Sequence, residues 1–168
     1  LKAMRRRYSP REYVEAVETI RREVPGAAVT SDVVVGFTGE TEYCFQESFE
    51  FCQRIGFAGL HVFPYSARPG TTAAHLGPKV DASVKRVRME KMLTLASEQA
   101  ASYRSSLLGT TRPVLWETCR ATANAPVWSG LTDNYVRVAA ASTQSLGNRI
   151  TPVVLGHQEG DVVWGRIA

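Results

Sequence analysis

The first residues that could bind a ligand follow a run of β-branched residues. The run AVTSDVVVG ends at Gly36, and Gly39 and Glu40 follow it in the segment FTGE. Parallel sheets place ligands where a strand enters a loop, and glycine lets the backbone approach a ligand closely. The β-branched strand would offer an apolar platform for a purine. The alternative for Glu40 is a helix N-terminal residue that the helix dipole stabilises.

Two further charged residues of this region are candidates for ligand contacts. Asp32 is a carboxylate inside an apolar strand, where burial without a partner would be costly, so we expect it to face a polar partner or a ligand. Arg68 lies in YSARPGT, beyond the second strand. Its guanidinium could bind a phosphate or a carboxylate in bidentate fashion. Pairing with a neighbouring acid remains the other interpretation.

Basic and aromatic residues alternate in the C-terminal region, a pattern that suits phosphate contacts and base stacking in RNA. The candidates are Arg112, Trp116, Arg120, Asn134, Tyr135 and Arg137. We expect the three tryptophans, Trp116, Trp128 and Trp164, to fill the core of this region, because they lie in alternating strands. Tyr135 and Arg137 are therefore the better RNA candidates, with Val136 and Val138 pointing inward.

The cysteines and histidines give no metal site. Cys44, Cys52 and Cys119 are too few for a disulfide framework, and their spacing matches no zinc or iron–sulfur signature. We expect Cys44 and Cys52 in a helix core and His61 as a packed or hydrogen-bonded strand residue. No metal ligand and no catalytic side chain is assigned, and free thiols favour a reducing, cytoplasmic setting.

Composition excludes several classes of protein. With 168 residues, 44% hydrophobic and 21% charged, the chain resembles one ordinary globular domain and not a collagen-like, coiled-coil or disordered protein. It contains no apolar run long enough to span a membrane, so we expect a soluble protein. The net charge of +4 permits nucleic acid binding without proving it, since solvated helix faces are also basic. The start at Leu1, followed by arginines, indicates a chain entered part-way and no signal peptide.

The order of elements predicts two parts, an α/β part and an all-β part. A capping box at Ser9 and Glu12 begins a helix over about 10–24, and a strand, a helix ending at Gly56 and the strand FAGLHVFPYS follow it. We expect a parallel βαβ unit whose strands are buried on both faces. Residues 66–80 form an irregular loop. Asp81 caps a long helix ending at Gly109, with an apolar stripe of Val84, Val87, Met92, Leu95, Ala96, Tyr103 and Leu107.

Five short alternating strands after residue 109 predict a small antiparallel barrel of the OB-like kind. The predicted domains are 1–76, a linking helix over 77–108, and 109–168. Two parallel strands cannot form a sheet covered on both faces, because they need further strands and helices. The missing strands lie upstream in a longer chain, or another subunit supplies them. Self-association of the chain to cover its sheet edge stays open.

The segments LKAMRRRYSPREYVEAV, TSDVVVGFTGET and HVFPYSARPGT resemble the radical S-adenosylmethionine methylthiotransferases that modify tRNA. The segment GLTDNYVRV resembles the TRAM domain that ends those enzymes. The likeness covers essentially the whole chain and is strongest to the branch that acts on N6-threonylcarbamoyladenosine. The alternatives are the isopentenyladenosine branch, the branch that modifies a ribosomal protein, and a stand-alone RNA-binding module without catalysis.

The resemblance implies the closing part of a TIM-like radical barrel followed by TRAM, with tRNA as partner. It implies S-adenosylmethionine and two [4Fe-4S] clusters in the full-length enzyme, but the CxxxCxxC motif of the radical cluster is absent here. The chain alone should therefore be inactive without the N-terminal methylthiotransferase and barrel segments. Adenine contacts are implied for Val34, Gly36, Phe63, Pro64 and Tyr65, and Glu40 is assigned to the same cofactor-binding set. Asp32 would point into the barrel, and Arg68 would face a substrate carboxylate.

Overall fold

Helix α1 (Pro10–Glu23) begins at the predicted capping box. The computed structural model describes residues 1–168. The Ser9 hydroxyl accepts a hydrogen bond from the Glu12 amide at 3.2 Å, and the Glu12 carboxylate accepts one from the Ser9 amide at 2.7 Å. This backbone bond from Ser9 lowers the pKa of Glu12 below its usual value. The predicted helix is confirmed, because these bonds satisfy the free amides of its first turn.

The predicted parallel βαβ unit is present. Strands β1 (Thr30–Val35) and β2 (Gly59–Pro64) pair in parallel, with α2 (Glu42–Ile55) between them. Thr41 caps α2 by accepting the Cys44 amide, and Gly56 ends the helix with a φ of 65°. A left-handed backbone of this kind favours glycine at a helix end.

The prediction that both strands are buried on both faces is wrong. One face carries Val33, Val35, Leu60 and Val62, which pack into the hydrophobic core formed with α1, α2 and the following helix. The alternate residues lie on the opposite face, where Val34 is 38% exposed and Phe63 is 49% exposed. The sheet has only two strands, and Asp32, Val34, His61 and Phe63 are exposed on this second face. We call it the open face.

The helix predicted to begin at Asp81 is present as α3 (Ala82–Ser106), but its predicted apolar stripe is only partly right. Met92 and Leu95 are buried, whereas Val84 and Val87 are 37% and 45% exposed. The buried stripe runs through Arg88, Met92, Leu95 and Gln99. The polar residues Arg88 and Gln99 thus belong to the buried stripe, although the prediction did not include them. Before this helix, the predicted irregular loop contains a single 3-10 turn, Thr72–His75.

Residues Ala101–Ala168 form a second compact unit, separate from Leu1–Ala100. Five strands close into a barrel in the order β3-β4-β5-β7-β6: β3 (Thr111–Arg120), β4 (Val127–Thr132), β5 (Arg137–Ala141), β6 (Ile150–Glu159) and β7 (Val162–Ile167). The ring is compatible with the predicted OB-like barrel. It is not wholly antiparallel, because β5 and β7 pair in parallel through Val138 with Val163 and Ala139 with Trp164. None of the helices has the length and apolar character that crossing a membrane requires.

Candidate functional site

The open face of the first unit brings together three of the candidate residues predicted from the sequence, Asp32, Val34 and Phe63. Val34 pairs in register with Phe63, and Asp32 pairs with His61 two residues earlier along each strand. Partners in register project from the same face of a sheet, so all four side chains share the open face. Asp32 is exposed, so its carboxylate does not need the polar partner that we expected for a carboxylate buried in an apolar strand. His61 is exposed as well, so the prediction of a packed or hydrogen-bonded histidine is wrong.

Gly36 makes a close approach, but to a side chain of the protein. Its φ is +75°, and a Cβ built on it would lie 2.2 Å from the Lys85 Cγ. The aliphatic stem of Lys85 therefore occupies the space that we expected a ligand to use. The Lys85 ammonium donates to the Tyr65 carbonyl at 3.4 Å, which ties α3 to the ends of both strands.

Glu40 binds neighbouring groups of the protein. Its carboxylate accepts the Gly36 amide at 2.9 Å and forms an ion pair with Arg88 at 2.7 Å. The Arg88 side chain is 6% exposed and also reaches the Glu42 carboxylate at 3.0 Å. Glu40 lies two residues before the first residue of α2, so it is not a residue of the helix itself. We call this group, Gly36, Glu40, Glu42 and Arg88, the loop clamp.

Pro64 at the end of β2, and Tyr65 and Arg68 beyond it, lie at the same edge of the sheet. The Tyr65 ring packs edge-on against Phe37 with centroids 4.9 Å apart, and its hydroxyl is buried without a hydrogen-bond partner. Pro64 and Arg68 are both exposed. The Arg68 guanidinium forms no ion pair, so the interpretation as a partner of a neighbouring acid is not supported. Only its carbonyl is bonded, to the amide and hydroxyl of Thr71.

A groove of about 780 Å³ is lined by residues of the N-terminal segment, β1 and α2. Arg6, Tyr8, Asp32 and Val34 are among its lining residues. Strand β1 has β2 as its only strand neighbour, so its other edge offers free backbone groups. The groove therefore joins an unpaired strand edge to part of the open face.

In the barrel, the predicted alternation around Tyr135 is confirmed. Val136 and Val138 are 5% and 0% exposed, whereas Tyr135 is 83% exposed and Arg137 also faces solvent. Tyr135 has a φ of 62°, a left-handed conformation that non-glycine residues adopt rarely.

Asn134 lies inside the turn that presents Tyr135. It is 8% exposed, accepts the Thr132 hydroxyl at 2.5 Å and donates to the Tyr103 hydroxyl at 2.9 Å. Burial raises the pKa of Tyr103 above its ordinary value. Arg112 lies 3.5 Å from the Asp133 carboxylate, and Arg120 is exposed at the end of β3. The structure thus gives Asn134 bonds inside the protein, and it leaves Tyr135, Arg137 and Arg120 at the surface.

The three tryptophans have different environments. Trp116 is fully buried and donates to the Thr151 hydroxyl at 2.8 Å, which confirms the core prediction. Trp128 is partly buried and packs against the same core. Trp164 is not a member of that core, so the prediction is wrong for it. Its neighbour Val163 fills the inward position of β7 instead.

The chain offers no cluster of ligands for a metal. No group of three or more histidine, cysteine, aspartate or glutamate side chains could hold an ion. Cys52 is buried in α2 as predicted, and burial raises the pKa of its thiol to about 11. Cys44 is exposed, so its prediction as a core residue is wrong. The residues present do not fit an iron–sulfur cluster, which needs several cysteines together.

Known proteins resemble this chain along almost its whole length, although no protein-family model matches it. Threonylcarbamoyladenosine tRNA methylthiotransferase MtaB of Bacillus subtilis (strain 168) is 37% identical over 154 residues, 91% of this chain and 34% of the relative. The tRNA-2-methylthio-N(6)-dimethylallyladenosine synthase of Syntrophotalea carbinolica is 37% identical over 155 residues, 92% of this chain and 35% of the relative. This chain is a homologue of tRNA methylthiotransferases.

A third relative matches a shorter stretch of this chain. The tRNA-2-methylthio-N(6)-dimethylallyladenosine synthase of Maricaulis maris is 38% identical over 117 residues, 70% of this chain and 26% of the relative. This chain spans about a third of the length of the first two curated relatives. The family resemblance expected from the sequence motifs is confirmed.

Sequence reasoning missed the residues that hold the site in place. Lys85 and Arg88 are not among the candidates that the sequence predicted, although they contact the loop after β1. The signal for Arg88 was its spacing, since residues 88, 92 and 95 follow the helical period. No comparable signal exists for His61, because its exposure depends on which strands surround β2.

Proposed function

We propose that this chain is the carboxy-terminal part of a tRNA methylthiotransferase that acts on N6-threonylcarbamoyladenosine in tRNA. The observation that supports it is the 37% identity to the MtaB methylthiotransferase over 91% of the chain. A synthase of the dimethylallyladenosine type matches equally well, so identity alone does not choose the branch. The segments HVFPYSARPGT and GLTDNYVRV favour the threonylcarbamoyladenosine branch.

S-adenosylmethionine would bind at the open face near the ends of β1 and β2. Val34 and Phe63 form an exposed apolar pair there, which fits the face of an adenine, and the unpartnered Tyr65 hydroxyl lies in the next residue but one. Gly36 does not fit a direct contact, because Lys85 covers it. In this enzyme class the cofactor supplies a radical for hydrogen abstraction and a methyl group. This chain would orient it, and the loop clamp would fix the loop beside it.

The iron–sulfur clusters do not belong to this part of the protein, since its cysteines are single and scattered. We infer that the preceding segments of a longer chain supply them, together with strands that pair with the free edge of β1. The groove of about 780 Å³ beside that edge is the place where they would pack. Self-association at this edge is the alternative for a chain without those segments.

Substrate contacts are proposed for both units. Arg68 is exposed without an ion pair, so it is available to a carboxylate such as that of a threonylcarbamoyl group. Asp32, on the open face, would meet a polar group of the same nucleoside. In the barrel, Tyr135, Arg137, Arg112 and Arg120 would contact tRNA, with Asn134 holding the turn.

The test is mass spectrometry of tRNA nucleosides from cells that lack the full-length gene, complemented with the wild type or Arg68→Ala. Loss of the 2-methylthio derivative of threonylcarbamoyladenosine, restored by the wild type and less by Arg68→Ala, is expected. Arg11→Ala is a matched control, because Arg11 is exposed and pairs only with Glu15 in α1. Loss of the dimethylallyl derivative alone would reassign the branch. Unchanged nucleosides would reject the enzyme and leave an RNA-binding module, which the self-contained barrel core also favours.

A further inference from the structure

The outer face of β7 carries an aromatic residue and a cation that have no role in the proposed cofactor and substrate contacts. Val163 is fully buried, and a Cβ on Gly165 would meet Val153 and Val138, so residues 163 and 165 point into the barrel. Alternation along a strand then places Trp164 and Arg166 on the outside. The tryptophan that we expected in the core is a partly buried residue on the outer face of the barrel.

Trp164 is held in a defined orientation. Its indole nitrogen donates to the Glu159 carboxylate at 2.9 Å. Its ring lies within 7° of parallel to the His157 ring, with centroids 6.4 Å apart. His157 is its register partner on β6, so both rings project from the same outer face. With the polar edge of the indole bonded, the rest of its surface is apolar and flat, which suits stacking.

A shallow groove of about 910 Å³ surrounds this ring. Its lining includes His157, Trp164 and Arg166, with Ser142 and Gln144 at one side, and it contains no carboxylate side chain. Of the two nearest acids along the chain, Glu159 bonds the indole nitrogen of Trp164 and Asp161 pairs with Arg104 at 2.9 Å. The groove therefore combines an aromatic face with positive charge and hydrogen-bonding groups.

We propose that this groove binds an unpaired nucleobase of RNA. The base stacks on Trp164, Arg166 contacts a neighbouring phosphate, and Ser142 or Gln144 meets the edge of the base. Proteins bind single-stranded nucleic acid through this combination of aromatic faces and cations. Because Val138 points inward, Arg137 lies on the outer face of β5, the strand beside β7, and extends the positive surface. The proposal rests on the proposed function, since it needs RNA as the partner.

The experiment measures the affinity of the full 168-residue chain for tRNA and for a labelled single-stranded oligoadenylate by fluorescence anisotropy. Trp164→Leu should weaken oligoadenylate binding roughly tenfold, since stacking on one aromatic ring has about this effect. Trp164→Phe should retain most of the affinity. Arg166→Gln should lower the slope of log affinity against log salt by about one. Ile150→Ala is the control, because Ile150 is 68% exposed on the same barrel and does not line the groove.

A second readout follows the tryptophan itself. RNA should quench part of the fluorescence of the wild type, and this part should vanish in Trp164→Phe although binding persists. Wild-type affinity in Trp164→Leu, or full quenching in Trp164→Phe, would overturn the groove proposal and leave the groove to another partner such as a peptide. Absence of any RNA binding by the wild type would also reject the groove proposal, whereas the nucleoside analysis of cells that lack the full-length gene tests the proposed function separately.

Discussion

Removal of the Arg88 guanidinium should destabilise the first unit more than any single surface change. In Arg88→Met the apolar stem stays and the charge is lost, so the Glu40 carboxylate keeps only the Gly36 amide as a partner. The two side chains are 6% and 11% exposed, and breaking a buried ion pair on one side costs about 3–5 kcal/mol. Glu42 is 64% exposed and adds little. We therefore expect a loss of about 3 kcal/mol.

The matched control lies on the same helix. Arg86 pairs with Glu90 at 3.5 Å, and both side chains are largely exposed, at 73% and 63%. Arg86→Met should cost less than about 0.5 kcal/mol, because exposed pairs contribute little. The double variant Arg88→Met with Glu40→Gln should recover part of the loss, since a neutral amide still accepts the Gly36 amide and leaves no unpaired charge.

Urea unfolding can follow the two units separately. All three tryptophans belong to the second unit, so their fluorescence reports the barrel, whereas far-ultraviolet circular dichroism is dominated by the helices of the first unit. With a slope near 1.5 kcal/mol per molar, a loss of about 3 kcal/mol lowers the helix midpoint by about 2 M. The fluorescence midpoint should stay in place. A midpoint shift in Arg88→Met no larger than that in Arg86→Met would refute the buried-pair reasoning.

Three further changes have defined outcomes. Alkylation at mild alkaline pH should label Cys52 at least about a hundredfold more slowly in the folded chain than in urea. The reason is that a thiol pKa raised from 9.0 to about 11 leaves little thiolate below pH 11. Equal rates in the two conditions would contradict the burial of Cys52. Gly130→Ala should destabilise the barrel by about 3 kcal/mol or more, since the new Cβ would lie 2.2 Å from the Leu115 carbonyl, whereas Gly147→Ala meets nothing closer than 3.5 Å and should be tolerated in thermal unfolding. Tyr135→Gly should raise stability by about 0.5–1 kcal/mol by relieving the left-handed backbone, and it should weaken tRNA binding in a filter assay; a drop in stability would show that the ring packs on the barrel.

Local signals in the sequence predicted the elements well. The capping box of α1 and the glycine end of α2 depend on neighbouring residues only, and each appears at its predicted place. The barrel core was also predictable, because strict alternation marks Val136 and Val138 as inward residues. Pairing direction was not, since the parallel contact of β5 with β7 joins strands that are distant in sequence.

Burial was harder to predict than the elements, because it depends on what packs against each face. Val34 and Phe63 belong to apolar strands, so the composition of these strands indicated burial. In the structure only one face of the two-stranded sheet packs into the core, and both residues lie on the other face. The opposite error occurred on α3, where Arg88 and Gln99 are buried because each meets groups from other elements. The Arg88 charge meets Glu40, and the Gln99 amide bonds the Phe57 amide and the Cys52 carbonyl.

These two errors have one physical origin. A polar residue is buried where another element offers it partners, and an apolar residue stays exposed where the fold offers it no cover. The loop clamp is the first case, and it fixes the chain just after β1. The open face is the second case, and it begins at that same point. An exposed apolar face beside a loop held by buried charges is the arrangement expected of a ligand platform whose cover comes from elsewhere. Packing of the remaining segments of a longer chain, or of the cofactor itself, should therefore reduce the exposure of Val34 and Phe63 while leaving the Arg88–Glu40 pair unchanged.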